Sequence, residues 1–202
     1  MGILILGADT GYTHTGLALI DWNGTTARLA DHTVIITKPS TAKRRMHKSD
    51  DDVRRISEIL LGVSNFIRMA RPAIVCVESF TLRMIPGSKG KLQFTNVSTA
   101  TRQFGGYATT ICAIKTAGIA LTQFTPQEVR KRLMGTAKAS KEMMWVAANK
   151  WLQVPNPDSQ MGEHEWDAAA IALAAVVPTP IDLVLVLSQV QQQVVTAVEE
   201  HQ

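Results

Sequence analysis

Cysteine is scarce in this chain, with only Cys76 and Cys112 among 202 residues. Neither has a partner at metal-binding spacing, so a CxxC-type site is excluded. Both read as buried, reduced thiols of a cytoplasmic protein. Long apolar runs are also missing, and the stretch from Ile181 to Leu187 is too short to span a bilayer. The N-terminus has no basic segment before its apolar residues and reaches Asp9 at once, so it is not expected to act as a secretory signal. No large excess of one charge sign exists. Lys and Arg total 21 against 17 Asp and Glu, a net charge of +4 that does not by itself indicate nucleic acid. There is no internal repeat and no low-complexity tract. What remains is an ordinary globular composition, 46% hydrophobic and 19% charged. Its length suits one domain with an appended element: residues 1–177 as the domain and 178–202 as a helical tail.

The N-terminal third reads as three strands. Ile3-Leu4-Ile5-Leu6 is a continuous apolar run, expected to be buried on both faces. Leu17 to Asp21 forms a second strand, Trp22-Asn23-Gly24 a hairpin turn, and Ala27 to Thr37 a third, β-branched strand. Lys38 to Asp52 is polar and basic and reads as a loop. From Asp51 to Met69, Val53, Ile56, Ile59, Leu60, Val63 and Ile67 recur at helical spacing, and Arg71-Pro72 ends the helix. Ala73 to Val77 is a strand ending at Glu78. Thr81 to Phe94, with Pro86 and two glycines, reads as a flexible basic loop. A small-residue helix from Asn96 to Ala117 and a strand from Ile119 to Phe124 follow. Thr125-Pro126 then starts a helix with a cap and a proline at its first position. Ser140 opens another helix through Trp151, and Glu163 to Val177 is an alanine-rich one. In the tail, Leu187, Val190, Val194 and Val198 form one apolar stripe that packs on the domain or on a second subunit. A meander followed by βα units predicts an α/β fold with a mixed sheet flanked by helices.

Four positions in this pattern bear chemistry. Asp9 follows the first strand and Glu78 ends the fourth, while His164 and Asp167 lie three apart on one helix face. Groups at neighbouring strand ends can converge with a helix face. Hard oxygen ligands from several elements suit magnesium or manganese, and two such ions can flank a phosphate. Each residue also has a plainer reading. An Asp after a strand is often a turn residue, a helical His is usually inert, and a salt bridge also explains Asp167. Glu78 is the most unusual, because a carboxylate ending an apolar strand must find a partner or a metal. Basic residues cluster at Arg44, Arg45, His47 and Lys48, and again from Arg130 to Lys141.

Leu6-Gly7-Ala8-Asp9-Thr10-Gly11, continuing to Thr15-Gly16-Leu17-Ala18, resembles the first-strand motif of RuvC-type Holliday junction resolvases. Ile74 to Glu78 resembles their second acidic motif. Thr125 to Arg130, then Gly135 and Ala139-Ser140-Lys141-Glu142, is similar to the family's next segment, and His164 to Ala169 to its final acidic motif. The order holds over roughly residues 3–176. The resemblance implies an RNase H-like five-stranded mixed sheet and an extra C-terminal helix. It also implies a magnesium-dependent endonuclease with two ions per site, for which manganese substitutes. Asp9, Glu78, His164 and Asp167 are its implied catalytic metal ligands, with Glu163 a rival for the fourth. Lys141 is an implied catalytic cation and Arg130 an implied second basic residue. Because phosphate contacts need basic groups around such a pocket, Arg83, Lys89, Lys91, Arg130, Lys131, Lys138 and Lys141 are the expected DNA contacts. The expected activity is paired, symmetric nicking of four-way DNA junctions by a cytoplasmic homodimer without membrane attachment, leaving 5′-phosphate and 3′-hydroxyl ends. The sequence departs from the family after Glu78, where Thr81-Leu82 follows Phe80 and a longer basic segment precedes the next helix. A nuclease of the same fold acting on other branched DNA or RNA is the first alternative. An actin-like or sugar-kinase-like ATPase is the second, disfavoured because it needs two such domains.

Overall fold

A computed structural model describes residues 2–40, 47–81, 84–86, 92–94, 97–155 and 161–177. Its centre is a five-stranded mixed sheet. β1 (Ile3–Asp9) pairs antiparallel with β2 (His14–Trp22), which pairs antiparallel with β3 (Ala27–Ile36). On its other side β1 pairs parallel with β4 (Ile74–Glu78), and β4 pairs parallel with β7 (Ala120–Phe124). The order is therefore β3-β2-β1-β4-β7, with β1 in the middle. β5 (Met84–Pro86) and β6 (Leu92–Phe94) form a separate antiparallel hairpin. The turn after β2 forms as its residues predict: the Asn23 carboxamide accepts from the Thr25 and Thr26 amides, and Gly24 takes a φ of 100°.

Helices cover both faces. α1 (Lys48–Ala70) and α2 (Val97–Thr116) pack on the face carrying Leu6, Ala8, Leu17, Leu19, Val75 and Val77. α3 (Pro126–Met134), α4 (Lys141–Leu152) and α5 (Glu163–Leu173) lie against the face carrying Ile5, Ala18, Ile20 and Cys76. The alternation of strand side chains sets this division. Counting along β1 from Ile5, Gly7 and Asp9 share the α5 face, and counting along β4 from Cys76, so does Glu78.

α5 is buried all round from Trp166 to Leu173, so it is a core element rather than a surface helix. Two glycines let it sit so deep. A Cβ at Gly7 would lie 1.9 Å from the Ala168 carbonyl oxygen, and one at Gly16 would lie 2.0 Å from the His164 carbonyl oxygen. Helix backbone therefore rests directly on strand backbone. The first turn of α5 is tied to β3 by Glu165, whose carboxylate lies 2.7 Å from His32 Nδ1 and accepts from the Gly162 amide.

Several expectations need correction. The buried stripe of α1 is Arg55, Ile59, Val63 and Ile67; Val53 is 63% exposed and Leu60 is 39% exposed. The helix also begins three residues early, with Asp50 and Asp51 in its first turn against the positive helix end. Cys76 is buried, and burial pushes its thiol up to about 12, but Cys112 is exposed on α2. The segment expected as a loop from Thr81 to Phe94 contains the β5–β6 hairpin, with Pro86, which has no amide to donate, at a strand end. Arg83, Lys89, Lys91, Arg44 and Arg45 lie outside the described residues, as does the expected tail 178–202. Among the described residues, no helix is long and apolar enough to cross a membrane.

A Gly7→Ala substitution tests the close packing. The added methyl meets backbone rather than a movable side chain, so the helix must shift, at a cost of about 3 kcal/mol. A melting temperature lower by roughly 6–12 °C is expected; an unchanged melting temperature would contradict this packing.

Candidate active site at the carboxyl ends of the central strands

Asp9 and Glu78 each stand one residue beyond the paired Ala8 and Val77, at the carboxyl ends of adjacent parallel strands. His164 and Asp167, on one face of α5, join them there. All four line a cleft of about 960 Å³, together with Lys141 from α4 and Arg130 from α3. The opposite wall comes from the β1–β2 turn, Arg55 of α1, and Thr99 and Arg102 of α2.

Contacts within the cleft are specific. His164 Nδ1 lies 2.8 Å from Asp9 Oδ2. The His14 ring stacks on the His164 ring with centroids 4.9 Å apart and planes 10° apart. Lys141 Nζ donates to Asp167 Oδ2 at 2.8 Å and to Glu163 Oε1 at 2.7 Å. Trp145 Nε1, one helical turn after Lys141, donates to the other Asp167 oxygen at 2.9 Å. Asp167 is thus buried with both oxygens engaged. Lys141 begins α4, whose cap is Ser140, with its hydroxyl accepting from the Met143 amide. Arg130 reaches the cleft from α3, which a reciprocal Thr125–Glu128 capping box starts. Its Nε has no hydrogen-bond partner among the described residues, and neither does Ser79 Oγ.

Burial and crowded negative charge together set the electrostatics. Burial, then the neighbouring carboxylates Asp9 and Asp167, push Glu78 up to about 7, against relief from Lys141 and Arg130. The Asp9 hydrogen bond raises His164, outweighing its partial burial. Burial opposes the charge on Lys141, but its bonds to Asp167 and Glu163 outweigh that and raise it. Lys141 in turn lowers Glu163. Three carboxylates and an imidazole around one cleft form the hard donor set that suits a divalent cation. They do not form a closed ligand shell here. Among the described residues, no three His, Cys, Asp or Glu side chains are grouped closely enough to hold an ion. Lys141 and Trp145 take the two Asp167 oxygens and His164 takes one Asp9 oxygen instead.

The structure therefore gathers Asp9, Glu78, His164, Asp167, Lys141 and Arg130. It does not gather the rest. Glu163 is exposed, is held by Lys141 and does not line the cleft. Lys131 and Lys138 are exposed and lie outside the cleft lining, and His47 and Lys48 are exposed at the start of α1. Arg132 is structural, donating to the Ala174 carbonyl and lying over the Phe124 ring. Sequence reasoning missed His14, Trp145, Arg55 and Arg102. Arg55 had a signal, since it precedes Ile59, Val63 and Ile67 at a constant spacing of four. Trp145 had a weaker one, four residues after Lys141. His14 and Arg102 had none.

Carboxylates at the ends of adjacent central strands, met by a carboxylate and an imidazole on a packed helix, define an RNase H-like α/β protein. Comparison with known proteins narrows this. The family model described as crossover junction endodeoxyribonuclease RuvC matches residues 5–175. The RuvC of Bordetella pertussis is 27% identical over 77% of this chain and 76% of its own length. That of Prochlorococcus marinus is 26% identical over 86% of this chain and 95% of its own length. The solved structure of Thermus thermophilus RuvC in complex with a Holliday junction substrate superposes with a TM-score of 0.69 at 24% identity, covering 87% of this chain and 93% of that one. The chain belongs to the RuvC family of crossover junction endodeoxyribonucleases, which are metal-dependent nucleases.

The crowded carboxylates predict an unusual pH dependence for the metal-free protein. Glu78 and His164 both bind protons more tightly folded than unfolded. Their contribution is full below the unfolded value and is lost as pH rises through the folded one. For Glu78 that window runs from 4.5 to about 7. In chelator, the melting temperature should fall across this range, and Glu78→Gln should flatten the fall. A fall of equal size in the variant would contradict the account.

Proposed function

We propose that this chain resolves four-way DNA junctions by paired symmetric nicks, leaving 5′-phosphate and 3′-hydroxyl ends. The observation that carries the proposal is the convergence of Asp9, Glu78, His164 and Asp167 in one cleft beside Lys141 and Arg130. In this reading Asp9, Glu78, His164 and Asp167 hold two magnesium ions, and manganese serves as well. Such ions, when bound, supply positive charge to the scissile phosphate and acidify the attacking water. The chain's own residues do the rest. Asp9 is oriented by His164, and Asp167 by Trp145. Burial, then the neighbouring carboxylates Asp9 and Asp167, raise Glu78, so it would hold a cation only after losing its proton. Lys141, whose ammonium stands in the cleft beside Asp167, neutralises charge that develops on the phosphate during cleavage. Arg130 contacts the adjacent backbone through its guanidinium, whose Nε has no partner among the described residues.

His164 is the fourth ligand in this proposal, rather than Glu163. The support is position: His164 faces the cleft and touches Asp9, whereas Glu163 points to Lys141 at the rim. Cutting two strands symmetrically requires two active sites related by a twofold axis, so the active form is a cytoplasmic homodimer.

Asp9→Asn should abolish cleavage of a labelled synthetic junction while leaving junction affinity, measured by anisotropy in chelator, within about twofold. Loss of binding along with cutting would count against a metal-holding role. A second comparison settles the fourth ligand. His164→Ala should lower the cleavage rate by about a hundredfold or more, and Glu163→Ala by less than tenfold. The reverse order would assign the position to Glu163.

A further inference from the structure

The wall of the cleft facing away from Lys141 contains a buried cation that forms no ion pair among the described residues. Arg55 is 4% exposed and lines the cleft. Its Nε donates to Thr37 Oγ1 at 3.0 Å, and its Nη2 donates to Thr13 Oγ1 and the Thr37 carbonyl, each at 3.2 Å. The guanidinium lies 4.0 Å from the centre of the Tyr12 ring. All these partners are neutral, and no carboxylate among the described residues forms an ion pair with it. The contrast with its neighbour is direct: Arg54 pairs with Asp51 and Glu58. Asp52 is taken as well, accepting from the Tyr12 hydroxyl at 2.5 Å and pairing with Arg102 at 3.3 Å. A charge withdrawn from water without an opposite charge in direct contact is costly to the fold. An anion in the cleft removes that cost.

Arg102 stands beside it. It projects from α2, lines the same wall and lies 5.8 Å from the same Tyr12 ring. Tyr12, 5% exposed, thus spaces two guanidinium groups on one side of the cleft, with the Thr13 hydroxyl next to them. α1 and α2 lie on the opposite face of the sheet from α3, α4 and α5, so these cations are separated from Lys141 and Arg130 by the strand ends bearing the acidic residues.

We propose that Arg55, Arg102 and the Thr13 hydroxyl form a phosphate subsite for a backbone phosphodiester of the nucleic acid, distinct from the phosphate being cut. The subsite rests on the nuclease reading. It grips the strand on the far side of the carboxylates, so the strand crosses the site held at both walls.

The test is junction binding in chelator as a function of salt, with single neutral methylphosphonates placed along each strand near the exchange point. For Arg55→Gln, Kd should rise at least about tenfold and the slope of log Kd against log salt should fall by about one. One methylphosphonate position should weaken wild-type binding and have no further effect in the variant. Arg102→Gln should show the same position with a smaller loss. Thermal melting checks that each variant folds; if Arg55→Gln does not, the half-exposed Arg102 decides. Wild-type binding with an unchanged salt slope in the folded variants, or with no methylphosphonate position silenced, overturns the subsite alone. A wild-type protein that binds no junction overturns the nuclease reading and the subsite with it.

Discussion

Everything at this site depends on how closely α5 approaches the sheet. His164 reaches Asp9, and Asp167 joins them in the cleft, only because helix backbone lies on strand backbone at Gly7 and Gly16, with no side chain between. The alanines from Ala168 to Ala170 and at Ala172 continue the fit, all fully buried. Small residues thus do two jobs in one element. They fill the core on the α5 face, and they set the depth at which the helix presents its polar first turn. The register of β1 against β4 completes the arrangement, because Asp9 and Glu78 end paired strands at the same level.

Holding three carboxylates together has a cost that the surrounding residues offset in part. Lys141 bridges Asp167 to Glu163, Trp145 fixes the second Asp167 oxygen, and His164 pairs with Asp9 beneath the stacked His14 ring. Glu78 has no such bond among the described residues, and burial, then Asp9 and Asp167, push it up to about 7. Like charges assembled in a half-buried cleft form a site whose natural complement is a cation. The cleft's outer walls carry the opposite sign, with Arg130 on one and Arg55 and Arg102 on the other. That arrangement fits a polyanion lying across an acidic floor.

Much of this was legible in the residues. The apolar runs ending at Asp9 and Glu78 fixed two strand ends, and the His164–Asp167 spacing fixed a helix face, so three separate segments pointed to one place. The mixed sheet and the start of α3 at Thr125 follow from pattern and capping chemistry in the same way. What escaped was tertiary. The periodicity of α1 favoured Val53 over Arg55, because a hydrophobic stripe is read from apolar residues and not from a buried guanidinium. Cys112 looked like a core residue in a small-residue helix, yet it lies on the exposed face. The β5–β6 pairing has strands only three residues long, below what alternation can reveal. His14 and Trp145 act through contacts with residues far away in the chain, which no local pattern encodes.

The central claim is that these acidic residues and His164 perform metal-dependent cleavage of branched DNA. The most direct measurement compares a labelled four-way junction with linear duplex, flap and RNA-containing substrates, each with magnesium and with chelator. The account predicts paired, symmetric nicks on the junction only, and only with the metal. Cutting of flaps or RNA in preference to junctions would keep the site but contradict the substrate, and cutting that persists in chelator would contradict the site itself.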